Sequence, residues 1–169
     1  MGLAVMDASV AVKWFLEEEY GDEAVRLQSD FFEGIVSLRV PSIFPYEVLN
    51  ALQHSRRFRG RDLLEAARDV DRSGFSVIPL FGEYMERTVE IAARLGCTIY
   101  DASYLALGAI EESVVFTADD DLVAMAPRGI EVVHIREYRT QSLGEPTVRE
   151  VERTVNDKLR RHRAGAPPG

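Results

Sequence analysis

Four acids in this chain stand where acids are least expected. Asp7 closes the small and apolar run Gly2-Leu3-Ala4-Val5-Met6, and Asp119 follows a second such run, Val114-Val115-Phe116-Thr117, within Ala118-Asp119-Asp120-Asp121. Glu47 lies among Phe44, Val48 and Leu52, and Asp101 precedes Ala102, Leu105 and Ala106, in stretches otherwise patterned as helix core. A helical acid is ordinarily solvated. An Asp at a strand-to-helix turn often only caps the helix, so for Asp7 alone capping and chemistry are equally good readings. If the four acids converge, two like charges about 4 Å apart at an effective dielectric near 20 repel by about 4 kcal/mol. A cation relieves this repulsion, and oxygen donors without a Cys/His cluster favour Mg²⁺ or Mn²⁺. Such ions activate water and stabilise charge on an attacked phosphate, which is the chemistry of phosphodiester hydrolysis.

The elements needed to bring these acids together are legible. A continuous apolar run fits a strand covered by helices on both faces, so residues 2–6 read as a buried strand. Asp7 then sits at its C-terminal end, where open α/β sheets bind ligands, and Ser9 is a suitable N-cap for a helix carrying Val10, Trp14 and Phe15. Helical spacing follows over residues 22–32, a strand over 35–40, then an amphipathic helix with Phe44, Val48, Leu49 and Leu52, bearing Glu47 and Asn50. Further helices are expected at 62–72, ended by Gly74, and at 83–95, stopped by Gly96. Strands are expected at 75–80, 114–117 and 130–135. A helix with Asp101 in its first turn and a short one over 122–125 flank the 114–117 strand. Strands alternating with helices imply a three-layer α/β/α sandwich with a mostly parallel central sheet.

The chain has 169 residues, 46% hydrophobic and 28% charged, which suits one well-buried domain with a tail. Its one cysteine, Cys97, excludes an internal disulfide and a polythiolate zinc site, and points to a reducing cytoplasm. No signal peptide or membrane-spanning run is expected. The net charge of −8 argues against holding nucleic acid by general electrostatics. That charge is uneven: residues 1–138 carry 13 Lys/Arg against 24 Asp/Glu, a balance of −11, and residues 139–169 carry seven against four, a balance of +3. Thr147 with Glu150 fits a capping box, so a helix is expected over 147–163, with a disordered end after it.

Four segments in order resemble the PIN domain, and within it the VapC-type toxins of bacterial and archaeal toxin–antitoxin pairs. They are Val5-Met6-Asp7-Ala8-Ser9-Val10-Ala11-Val12-Lys13-Trp14-Phe15, Pro45-Tyr46-Glu47-Val48-Leu49-Asn50-Ala51-Leu52, Tyr100-Asp101-Ala102-Ser103-Tyr104-Leu105-Ala106-Leu107 and Thr117-Ala118-Asp119-Asp120-Asp121-Leu122. The resemblance covers residues 2 to about 136 and implies a Mg²⁺- or Mn²⁺-dependent endoribonuclease. It carries Asp7, Glu47, Asp101 and Asp119 over as catalytic and metal-binding acids, with Asp7 and Asp101 the most direct ligands. Ser9, Asn50, Thr117 and Asp121 are accessory candidates. The same resemblance implies an RNA substrate, a small antitoxin partner and a homodimer. Asp120 and Asp121 depart from the family pattern, their extra charge suiting either a second ion or a hindrance to RNA.

Other acid-based α/β families fit less well. A haloacid-dehalogenase-like phosphatase needs a second Asp two residues after the first, where Ser9 stands. A receiver domain wants an acidic pair after its first strand, and a Toprim nuclease expects a Glu there. The remaining rival is a PIN fold used as a binding or scaffolding module without nuclease activity. Two further features stay open. Arg56, Arg57, Arg59 and Arg61, with Phe58 between them, read either as a solvated loop or as an RNA-backbone contact with a stacking ring. The basic tail, with Arg160, Arg161 and Arg163, reads either as a cover over an acidic groove or as an RNA-binding arm. Trp14 and Phe15 read as core residues or as part of an association surface.

Overall fold

The computed structural model describes residues 2–139. Five strands, β1 (Gly2–Met6), β2 (Val36–Pro41), β3 (Ser76–Ile78), β4 (Val114–Thr117) and β5 (Val132–His134), form one sheet in the order β3-β2-β1-β4-β5. Every neighbouring pair is parallel, so the sheet is parallel throughout rather than mostly. The connections carry helices α1 (Ala8–Val12), α2 (Gly21–Phe32), α3 (Phe44–His54), α4 (Arg61–Arg72), α5 (Gly82–Leu95), α6 (Ile99–Ile110) and α7 (Asp120–Met125). A 3-10 turn, Ile135–Glu137, leads to the buried Tyr138. The architecture is the expected α/β/α sandwich.

The apolar run of β1 is explained by its central place: β2 pairs with one edge and β4 with the other, and Ala4, Val5 and Met6 have no exposed surface. Chain order reverses between β1 and β4, a topological switch point, so a crevice opens outside their carboxyl ends. The register Met6↔Phe116 sets Asp7 opposite Thr117, and the Asp7 amide donates to the Phe116 carbonyl at 2.9 Å. Helix α6 packs against β1, β2 and β4 with every residue from Ala102 to Gly108 buried. Gly108 makes that approach possible, because an added Cβ would collide with Val115 Cγ2 and lie 3.3 Å from the Ser113 carbonyl oxygen.

Several expected boundaries move for local reasons. Helix α1 ends at Val12, so Trp14 and Phe15 are not on it. The Trp14 and Phe15 amides bond the Ala11 and Val12 carbonyls, tightening the chain into a turn. That turn sets Trp14 Nε1 as donor to the Ala24 carbonyl at 2.8 Å and its ring 5.7 Å from Phe75. Phe15 meets Phe58 edge-on at 6.2 Å, so both aromatics are packing residues. The edge strand β3 is shorter than expected because only three residues pair with β2. Phe75 turns inward to meet Phe31 and Phe44. Among the described residues no helix is long and apolar enough to cross a membrane. The helix expected at 147–163 and the end expected to be disordered lie outside the described residues.

Candidate metal and active site

Asp7 occupies the N-cap position of α1, yet its side chain makes no capping bond. Its Oδ2 instead accepts hydrogen bonds from Ser9 Oγ at 2.5 Å and Thr117 Oγ1 at 2.7 Å. Ser9, expected as the N-cap, lies inside the helix, and its hydroxyl reaches across the crevice rather than down onto the helix end. Each hydroxyl that donates to Asp7 also accepts an amide from the loop after β4: Ala118 N–H on Ser9 at 2.9 Å and Asp119 N–H on Thr117 at 3.0 Å. The two strand ends are thereby tied together through one carboxylate.

Glu47 comes from the first turn of α3 and Asp101 from the first turn of α6. Tyr104, fully inside the core, donates its hydroxyl to Glu47 Oε2 at 2.5 Å. Thr98 caps α6 by accepting the Asp101 amide at 3.1 Å and donates its own hydroxyl to Asp101 Oδ2 at 2.7 Å. Asp119 caps α7, accepting the Asp121 amide at 2.8 Å. Asp121 thus contributes a backbone amide, with its side chain exposed, and Asp120 pairs with Arg136 at 2.9 Å. Asn50 is exposed one helical turn beyond Glu47. Tyr104 and Thr98 escaped the sequence reading, although both carry a signal: Thr98-x-x-Asp101 is a capping-box spacing, and Asp101-x-x-Tyr104 puts acid and phenol on one helix face.

The electrostatics record the crowding. Burial pushes the Asp7 carboxyl above its usual range; the Ser9, Thr117 and Ala8 hydrogen bonds oppose that rise and the charge of Asp119 adds to it. Burial likewise raises Glu47, with Tyr104 opposing and the charges of Asp7 and Asp101 adding. The Tyr104 phenol is driven far above its ordinary value by burial and by Asp7 and Glu47, so it stays a donor. Among the described residues no Lys or Arg forms an ion pair with any of these four acids.

Among the described residues, no three His, Cys, Asp or Glu side chains stand grouped closely enough to hold an ion. The donor set nevertheless fits a hard divalent cation: its members are carboxylate oxygens, the charge of Asp119 bears on Asp7 and those of Asp7 and Asp101 on Glu47, and only neutral groups hold them. Asp7, Glu47, Asp101 and Asp119 are the residues that would hold it. The arginine cluster lies in the α3–α4 connection and at the start of α4, the opposite end of α3 from Glu47. Arg56, Arg57 and Arg59 are exposed, Arg61 pairs with Glu65 at 2.9 Å, and Phe58 is half-buried against Phe15 rather than presented to solvent.

The PIN domain family model matches residues 4–127, a span that includes all four acids. The chain belongs to the PIN domain family. No curated protein matches the sequence. Among solved structures, the PAE2754 protein of Pyrobaculum aerophilum is similar at 23% identity over 80% of this chain and 90% of that one, with a TM-score of 0.55. DNA-bound VapBC from Salmonella typhimurium matches at 16% identity over 80% and 99%, with a TM-score of 0.59. VapC20 of Mycobacterium tuberculosis, described as a sarcin-ricin loop cleaving toxin, matches at 17% over 76% and 98%, also at 0.59. At these identities the likeness is one of fold.

The raised acids give the ion-free protein a definite pH dependence. Unfolded, Asp7 and Glu47 titrate near 3.8 and 4.5; folded, both titrate higher. Between those values the native state holds more protons, so their contribution to stability is full below the unfolded values and is lost as pH rises through the folded ones. In EDTA, Asp7→Asn is expected to melt a few degrees above wild type at pH 7, with the gap closing as pH approaches 4. Thermal melts across pH 4–8 check this, and a variant that melts lower at every pH contradicts it.

Proposed function

We propose that this protein is a Mg²⁺- or Mn²⁺-dependent endoribonuclease, the toxin of a VapBC-type toxin–antitoxin pair. The observation that carries the reading is the buried Asp7 carboxylate at the switch point of the sheet, held by the Ser9 and Thr117 hydroxyls, with the charge of Asp119 bearing on it and its own bearing on Glu47. PIN domains are generally nucleases, and the fold is shared with VapBC and FitAB structures. A divalent ion supplies water activation and charge neutralisation at the attacked phosphate. Asp7 and Asp101 provide the negative charge that retains it. Glu47 keeps one oxygen on Tyr104 and would turn the other to the ion. Asp119, fixed by the Asp121 amide, closes the acid set on the β4 side.

The partners follow the same reading. A small antitoxin is the expected inhibitor, because VapBC and FitAB are solved as complexes and the Klebsiella pneumoniae match is itself a toxin–antitoxin complex. The second copy of a homodimer has a more suitable surface than Trp14 and Phe15. Phe81, Met85 and Val89 recur at four-residue spacing from the N-cap of α5 along its length and are 66%, 43% and 53% exposed, an apolar stripe open to a copy of itself.

Three outcomes are expected. Asp101→Asn abolishes Mg²⁺-dependent RNA cleavage while leaving the fold intact, since several kcal/mol of charge stabilisation correspond to a rate loss on the order of 10²-fold or more. An RNase assay with and without Mg²⁺, beside a melting curve, decides it, and full activity in that variant sinks the metal mechanism. Replacing Arg57 and Arg59 with Ala weakens RNA binding and lowers its salt slope by about one to two; an unchanged slope leaves them as ordinary surface. Val89→Asp converts the dimer to a monomer in light scattering, and an unchanged mass removes α5 as the interface.

A further inference from the structure

The buried phenol of Tyr104 is not one of the acids, yet it touches one of them and senses another. It sits on α6 three residues after Asp101, so the helix delivers an acid and a hydroxyl from the same face. It is 1% exposed, surrounded by the continuous core that includes Val48, Leu105 and Phe44, and its hydroxyl spans 57 residues of sequence to reach Glu47 Oε2 at 2.5 Å. The Asp7 charge and the Ala8 amide bear on the same hydroxyl, which places it at the junction of β1, α1, α3 and α6.

We propose that Tyr104 is a positioning residue of the metal site: its hydroxyl fixes the Glu47 carboxylate on one oxygen, leaving the other free for the crevice shared with Asp7 and Asp101. The inference rests on the divalent-metal reading above. A glutamate has three side-chain torsions, and Glu47 is only half-buried, so without a tether it samples several rotamers toward solvent. The ring of Tyr104 is immobilised by the core, and a neutral donor bonds the carboxylate without cancelling its charge, as a Lys or Arg would. The tether therefore removes an ordering cost from ion binding while leaving the attraction for the ion intact. Ser9 and Thr117 likewise hold Asp7 with neutral hydroxyls.

The test is Mn²⁺ binding by the full chain, measured by calorimetry or by the EPR signal of free Mn²⁺, for wild type, Tyr104→Phe, Glu47→Gln and the double variant. Tyr104→Phe keeps the buried ring and removes only the hydroxyl. The expected result is a Mn²⁺ affinity roughly tenfold weaker than wild type, with a melting temperature in EDTA close to wild type. In the Glu47→Gln background the same substitution is expected to leave Mn²⁺ affinity unchanged, because there is no carboxylate left to hold. Wild-type affinity in Tyr104→Phe overturns the inference while the metal reading stands. An equal loss in both backgrounds assigns Tyr104 a general structural role and also overturns it. A wild-type protein that binds no Mn²⁺ removes the metal reading and this inference together.

Discussion

Four carboxylates are held without a paired cation among the described residues, and much of the structure around them answers to that constraint. Asp7, Glu47, Asp101 and Asp119 belong to four different elements, and each is secured by a neutral donor: Ser9 and Thr117, Tyr104, Thr98, and the amide of Asp121. An arginine in any of those places would neutralise the carboxylate that it held. The hydroxyl donors hold geometry and preserve charge. Burial, with a smaller addition from neighbouring carboxylates, raises the proton affinity of Asp7 and Glu47.

The sheet makes this arrangement possible at its centre. Reversal of strand order between β1 and β4 opens the crevice, and parallel pairing brings the ends of both strands to the same side. Asp7 and Thr117, 110 residues apart in sequence, become direct partners there. Helix α6 can lie close enough to present Asp101 and Tyr104 because Gly108 lets its far end settle against Val115. A second buried pair, Tyr138 donating to Asp30 at 2.5 Å, ties the end of the described chain to α2, and Tyr138 stacks edge-on with Phe116 beside the site strand.

Two carboxylates elsewhere pair with cations, Asp120 with Arg136 and Glu111 with Arg39, whereas the buried Asp30 is held, like the four acids, by a neutral donor. The contrast between Asp119 and Asp120 is informative because the two are adjacent. One accepts the Asp121 amide, and the other is paired with Arg136.

Sequence by itself determined the layer architecture and the candidate acids. Continuous apolar runs can be only buried strands or buried helix segments, their short length chose strands, and alternation with amphipathic stretches left a parallel sandwich as the consistent answer. Acids ending those runs or embedded in apolar helix faces were legible because such positions are costly for a carboxylate without a purpose. What the sequence did not contain was pairing across distance. That Thr117 holds Asp7, that Tyr104 holds Glu47, that Asp120 meets Arg136, and that Trp14 and Phe15 pack on Phe75 and Phe58 all depend on strand order and helix approach. These contacts join residues that the folded sheet and its helices make neighbours, so their chemistry was decided by tertiary structure.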